Sequence, residues 1–109
     1  MPHIIFRGID VADVKEIEKP MVQEISSIVN CPVDHFTVEW TPTLFISGGV
    51  ENTGGYPFVT INWFKRSRDQ QDDVAKVVTK IVLDLGYSDV CVYFNELDPT
   101  AYYENGVHY

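Results

Sequence analysis

The residue with the widest chemical range is the second one. The chain opens Met1-Pro2-His3-Ile4-Ile5-Phe6-Arg7. If Met1 is removed, Pro2 presents a secondary amine at the head of a strand-like run. If Met1 stays, the same nitrogen is an amide without basicity. A free amine there has physical reasons to act as a base. Burial against Ile4, Trp63 or Phe94 and any nearby cation disfavour the ammonium form, which brings the pKa toward neutrality. Proton transfer is most efficient when the catalytic pKa lies near the working pH. The plain alternative is that Pro2 merely opens an edge strand.

Four cations are candidates for holding an anion beside such a base: Arg7, Lys65, Arg66 and Arg68. Arg66 and Arg68 stand just before an expected helix start, where unpaired backbone N–H groups favour negative charge. A bidentate arginine–carboxylate contact would orient an acidic substrate. The competing reading makes them surface partners of Asp69, Asp72 and Asp73. Tyr56, Trp63 and Phe94 are candidates to line an apolar pocket, although core or interface packing suits Trp63 and Phe94 better.

Other chemistry is thinly supported. His3, His35 and His108 are too scattered for a metal triad, and no metal site is expected; His3 and His108 would meet only if the termini pair. Cys31 and His35 stand four residues apart, but Pro32 argues against a helix there, so a Cys–His nucleophile is a weak reading. Cys31 and Cys91 lack metal-ligand spacing. Cys91 lies in an apolar strand pattern and reads as a buried thiol, with no disulfide expected. Gly48-Gly49 and Gly54-Gly55 lack the lysine and the strand–helix context of a phosphate loop and read as turn glycines.

The elements that must position these residues follow from periodicity. Residues 3–7 form a first strand. Asp10 is an expected N-cap, partly supported by Asp13. Val14, Ile17, Met21, Ile25 and Ile28 draw one apolar stripe along a helix to about Val29. Pro20 should kink or split that helix, a kink being favoured because the stripe continues past it. Asn30-Cys31-Pro32 stops it. A second strand is expected from about Phe36 to Ile46, with Pro42 implying an edge or a bulge. Residues 47–57 read as a loop or lid, with four glycines in eleven residues. Phe58 to Phe64 is a third strand. Asp69 is the expected cap of a second helix carrying Val74, Val77, Val78, Ile81, Val82 and Leu85, which ends at Gly86. Val90 to Phe94 is a fourth strand, and the tail from Asn95 adds at most a short strand or turn.

The result is an α+β fold: two β-α-β units whose right-handed crossovers put both helices on one face of a four-stranded mixed sheet. The strands look apolar on both faces, so another subunit is expected to cover the second one. A chain of 109 residues suits a single domain over 1–109. The net charge is −8, which speaks against nucleic acid as a partner. No membrane span and no signal peptide are expected, and the chain reads as cytoplasmic.

Met1-Pro2-His3-Ile4, the doubled strand-helix-strand pattern and the covered second sheet face together resemble the tautomerase superfamily, which includes macrophage migration inhibitory factor and the 4-oxalocrotonate tautomerases. The start, Glu96-Leu97-Asp98-Pro99-Thr100 and Asn105-Gly106-Val107-His108 resemble the ends of the 5-carboxymethyl-2-hydroxymuconate isomerases. The whole chain is also similar to a small bacterial family of unknown function within that superfamily. The resemblance implies a homotrimer, no cofactor, and Pro2 as a general base or acid converting small enols beside a carboxylate to keto forms. Arg7, Arg66, Arg68 and Tyr56 are the residues taken here as candidate substrate ligands. The alternative is a non-enzymatic, homo-oligomeric interaction protein of the same fold, with Met1 retained and no catalysis.

Overall fold

The computed structural model describes residues 1–52 and 54–109. The main sheet has strands in the order β2-β1-β5-β6: β1 is His3–Arg7, β2 Thr37–Thr41, β5 Phe58–Phe64 and β6 Cys91–Leu97. β1 pairs parallel with β2 and antiparallel with β5, and β5 pairs parallel with β6. Helix α1, Val11–Val29, connects β1 to β2, and helix α2, Arg68–Asp84, connects β5 to β6. This is the mixed four-stranded sheet with two β-α-β units that the periodicity predicts.

The core lies between the sheet and the two helices. Ile4 and Phe6 of β1 and Val59, Ile61 and Trp63 of β5 are fully buried. They cluster with Val14, Ile17, Met21, Val22, Ile25 and Val29 of α1 and with Val74, Val78 and Val82 of α2. Burying each such side chain is worth roughly 1.5–3 kcal/mol, so this single layer accounts for most of what holds the fold. Trp63 stacks on Phe94 with ring centroids 4.8 Å apart.

The second face of the sheet corrects the expectation of strands apolar on both sides. The register places His3, Ile5 and Arg7 across from Asn62, Thr60 and Phe58, and beside Thr37, Glu39 and Thr41. Cys91, Tyr93 and Asn95 extend the same face. Phe64 and Leu97 complete it, so polar and apolar residues are mixed there, and Tyr93 is 57% exposed. Cys91 is exposed rather than buried, and both cysteines are free.

Several boundaries differ from the periodic reading. β2 stops at Thr41, before Pro42, and occupies the sheet edge. The continuation expected to Ile46 instead becomes β3, Phe45–Ser47, which pairs antiparallel with β4, Val50–Asn52. Part of the expected 47–57 loop is thus a hairpin. Gly48 and Gly49 turn it with φ of +60° and +78°, the paired positive angles of the turn that matches strand twist. Thr53 lies outside the described residues.

The caps also differ. Asp10 holds the N-cap position of α1 but makes no side-chain cap bond. Asp69 is not the cap of α2: Ser67 is, in a reciprocal capping box with Gln70. Pro20 lies within α1, which is one continuous helix across it. β6 runs to Leu97, beyond the expected end at Phe94. The tail forms β7, Tyr103–Glu104, and β8, Val107–His108, a small hairpin.

Candidate functional site

Pro2 stands one residue ahead of β1, and its side chain is fully buried. Its carbonyl accepts a hydrogen bond from the Thr37 N–H at 3.1 Å, which fixes the start of β1 against β2. The paired register, continued by one residue, sets Pro2 across from Trp63. The sequence reading that Pro2 begins an ordered strand is therefore met with a buried ring and a held backbone.

Two other segments converge on this corner. Cys31 follows the left-handed Asn30 that ends α1 (φ 53°), and Arg66 precedes the Ser67 cap of α2. Gln70 ties the two helix ends together by donating to the Ile28 carbonyl at 3.3 Å. The Met1 amine feels both Cys31 and Arg66. Its pKa is below the ordinary value of 8.0, chiefly because partial burial disfavours the ammonium; the nearby Cys31 opposes this and the Arg66 cation adds to it.

Arg66 lies over Trp63, with its guanidinium carbon 5.9 Å from the ring centroid. Its buried Nε has no hydrogen-bond partner, and neither does the buried Nε1 of Trp63. Two N–H donors without acceptors in one buried corner are uncommon in folded proteins. A ligand oxygen is one group that would satisfy them. Neither Arg66 nor Arg68 forms an ion pair with Asp69, Asp72 or Asp73; among the described residues the ion pair within reach is Lys80–Asp84 at 2.7 Å. Arg68 is the first residue of α2 and is exposed.

Arg7 and Tyr56 lie elsewhere. Arg7 is at the far end of β1 from Pro2, a separation of roughly 17 Å at the usual strand rise. Its guanidinium covers the Phe58 ring at 4.6 Å. Tyr56 neighbours it: a hydrogen bond to Cys91 pushes the Tyr56 phenol above its ordinary range, with burial adding to this and the Arg7 charge opposing it. The candidate residues thus divide into two groups within one chain. Pro2 and Arg66 share the amino end of β1, while Arg7 and Tyr56 share its carboxyl end.

The histidines make structural contacts that spacing alone did not show. His3 Nδ1 is hydrogen-bonded to Thr37 Oγ1 at 2.6 Å, and His3 Nε2 to the Tyr102 hydroxyl at 2.8 Å. Tyr102 and Tyr109 pack with Phe64, which anchors the tail beside β1. His108 packs instead against Tyr103. His35 reaches Cys31: Sγ and Nδ1 are 3.8 Å apart. The sequence offered that pair only as an i, i+4 spacing. A short 3-10 helix, Val33–His35, brings the two together without an α-helix.

This sheet and helix arrangement is the α+β fold of the tautomerases and macrophage migration inhibitory factors. The macrophage migration inhibitory factor of Trichinella spiralis superposes with a TM-score of 0.75 over 98% of this chain and 99% of that one, at 17% identity, a likeness of fold alone. The chain belongs to the family described as Domain of unknown function (DUF1904), whose model matches residues 1–108. A DUF1904 crystal structure from Sebaldella termitidis is 34% identical, covers 100% of both chains and has a TM-score of 0.94. A protein of unknown function from Vibrio cholerae is 33% identical over 99% of this chain and 87% of that one, with a TM-score of 0.88. No curated protein sequence matches the chain. Among the described residues, no helix is long and apolar enough to cross a membrane.

Proposed function

We propose that this chain, as one tautomerase-like domain over residues 1–109, is a cofactor-free keto–enol tautomerase acting on a small carboxylated substrate through Pro2. The observation that carries the proposal is the corner at the start of β1. There a chain-terminal amine is held below its ordinary pKa, with Arg66 beside it and the Arg66 Nε lacking an acceptor. With Met1 removed, the Pro2 nitrogen becomes the terminal amine in that environment. Desolvation and the neighbouring cation act on it in the same direction, toward a neutral, proton-accepting form.

The chemistry needs little else. The enol hydroxyl gives its proton to the Pro2 nitrogen, the C=C pair shifts to the carbon end, and that carbon receives a proton from the Pro2 ammonium. Arg66 holds the substrate carboxylate by charge-assisted hydrogen bonds. Arg7 and Tyr56 are too far along β1 to touch the same small molecule in one chain. They serve the site in a homotrimer whose neighbouring copy brings its carboxyl-end residues to the Pro2 corner. Arg68, at the first position of α2, adds positive potential there.

The second reading, an oligomeric interaction protein without catalysis, is favoured by the full burial of the Pro2 side chain. Intact-mass measurement of protein from its native host separates the two. Loss of Met1 together with turnover of phenylenolpyruvate by Met1-free protein supports the tautomerase. Uniform retention of Met1 ends the proline mechanism and leaves the interaction protein.

A further inference from the structure

We infer that Cys31 and His35 form a second reactive site at this corner, a nucleophilic thiol that accepts soft electrophiles of the α,β-unsaturated carbonyl class. The inference does not depend on Pro2 chemistry or on removal of Met1. Four observations carry it. Cys31 Sγ lies 3.8 Å from His35 Nδ1. The backbone of Cys31 is clamped: its N–H donates to the Ser26 carbonyl at 3.2 Å, and its own carbonyl accepts from the Ser26 hydroxyl at 2.5 Å. His35 is held in turn by its N–H bond to the Pro32 carbonyl at 3.0 Å. The Arg66 Nε and Trp63 Nε1 donors are buried and without acceptors, and Arg66, like Cys31, acts on the Met1 amine.

The Met1 amine, ahead of β1, interacts electrostatically with Cys31 and with Arg66 of the segment before α2. His35 comes from the 3-10 helix, and Asp34 on the same turn is exposed. Thiolate, not thiol, is the nucleophile, and a histidine or cation partner raises the thiolate fraction. His35 takes the Cys31 proton. The sulfur pair forms a C–S bond to the β-carbon, the C=C pair moves toward the carbonyl as an enolate, and the α-carbon takes the proton from the His35 imidazolium. The result is a net addition with no co-reactant.

Cys91 supplies an internal comparison. It is the more exposed of the two cysteines, while Cys31 is half-buried. Accessibility alone therefore makes Cys91 the faster thiol, and a His35-activated Cys31 reverses that order. The probe is N-ethylmaleimide on the full-length folded protein at neutral pH, with labelling at each cysteine followed by peptide mass spectrometry. The expected result is labelling of Cys31 about tenfold faster than Cys91, with His35→Gln removing that advantage and leaving the Cys91 rate unchanged. Faster labelling of Cys91 in the wild type overturns the inference, and so does a Cys31 rate indifferent to His35→Gln in a variant with native circular dichroism. If that variant does not fold, the wild-type ratio of the two rates decides alone.

Discussion

The Tyr87 hydroxyl donates to the Asp13 carboxylate at 2.6 Å and accepts from the Asp10 N–H at 3.1 Å. A residue just past the end of α2 thus closes the start of α1. It does the work expected of an Asp10 side-chain cap, and it crosses between the two β-α-β units to do so. Tyr87→Phe keeps the ring and removes both bonds. The loss should be about 1–2 kcal/mol, typical of hydrogen bonds to a charged group and of a lost helix cap. Urea unfolding checks it: the midpoint should fall with an unchanged slope. An unmoved midpoint would show that water replaces the hydroxyl without loss.

The β3–β4 hairpin and the residue after β1 test how tightly the carboxyl end of the sheet is built. Gly8 has φ of +75°, and a Cβ there would lie 2.5 Å from the Tyr56 carbonyl oxygen. Gly48 has φ of +60° but nothing within 4 Å of a Cβ. Gly48→Ala should cost only the left-handed backbone term, about 1–2 kcal/mol. Gly8→Ala carries the same term plus a backbone clash, so it should cost more and displace Tyr56. Thermal unfolding of the two variants ranks them, and equal losses would mean that the Tyr56 segment moves aside freely.

The fold was legible because its signals are local and redundant. The stripe of Val14, Ile17, Met21 and Ile25, the alternation of Phe58–Phe64 and the positive-φ Gly86 each act within one element. What was missed required knowing which segments meet. Ser67 and Gln70 form a capping box of readable spacing, but Asp69 beside them is an equally good single cap by type. The second sheet face read as apolar because counting hydrophobic residues passed over Thr60, Asn62 and Asn95, which share it. The candidate site was legible only in its types. Pro2 and Arg66 are 64 residues apart in sequence, and nothing in the spacing shows that they meet while Arg7 does not join them. Pro32 forbids an α-helix across the Cys31–His35 spacing, yet a single tighter turn brings the pair together.

The terminal amine predicts a pH dependence with a definite sign. In the folded chain with Met1 intact, the amine's pKa is below 8.0, chiefly through burial. The unfolded chain then binds more protons than the folded one in the range just below that value. Stability should therefore rise with pH through this window, be complete above about 8 and decline below it. Acetylation of the amine removes the titration. Urea midpoints of acetylated and unmodified protein, compared across neutral pH, should converge at the alkaline side and diverge toward the acid side, with the acetylated form the more stable there. Parallel curves would mean that the amine is solvated as in the unfolded chain.

In the proposed tautomerase, Arg66 is the residue on which carboxylate binding turns. In Met1-free protein, Arg66→Gln removes the charge but keeps a planar donor, and kcat/KM toward an enolic carboxylate should fall by about 100-fold, mostly through KM. Arg66→Lys should recover only part of this, because a point charge lacks the guanidinium fork. Arg68→Gln should cost less, since Arg68 is exposed at the first turn of α2. Arg7 is the informative comparison because it lies at the opposite end of β1. If a neighbouring copy completes the site, Arg7→Gln should lower kcat/KM while costing the chain at most about 1 kcal/mol, the contact over the Phe58 ring. Mixing Arg7→Gln and Arg66→Gln proteins under conditions that exchange subunits should then restore activity, because some shared sites would draw both wild-type arginines from different copies. Failure to complement, with each single variant impaired, would place both arginines in separate roles within one subunit.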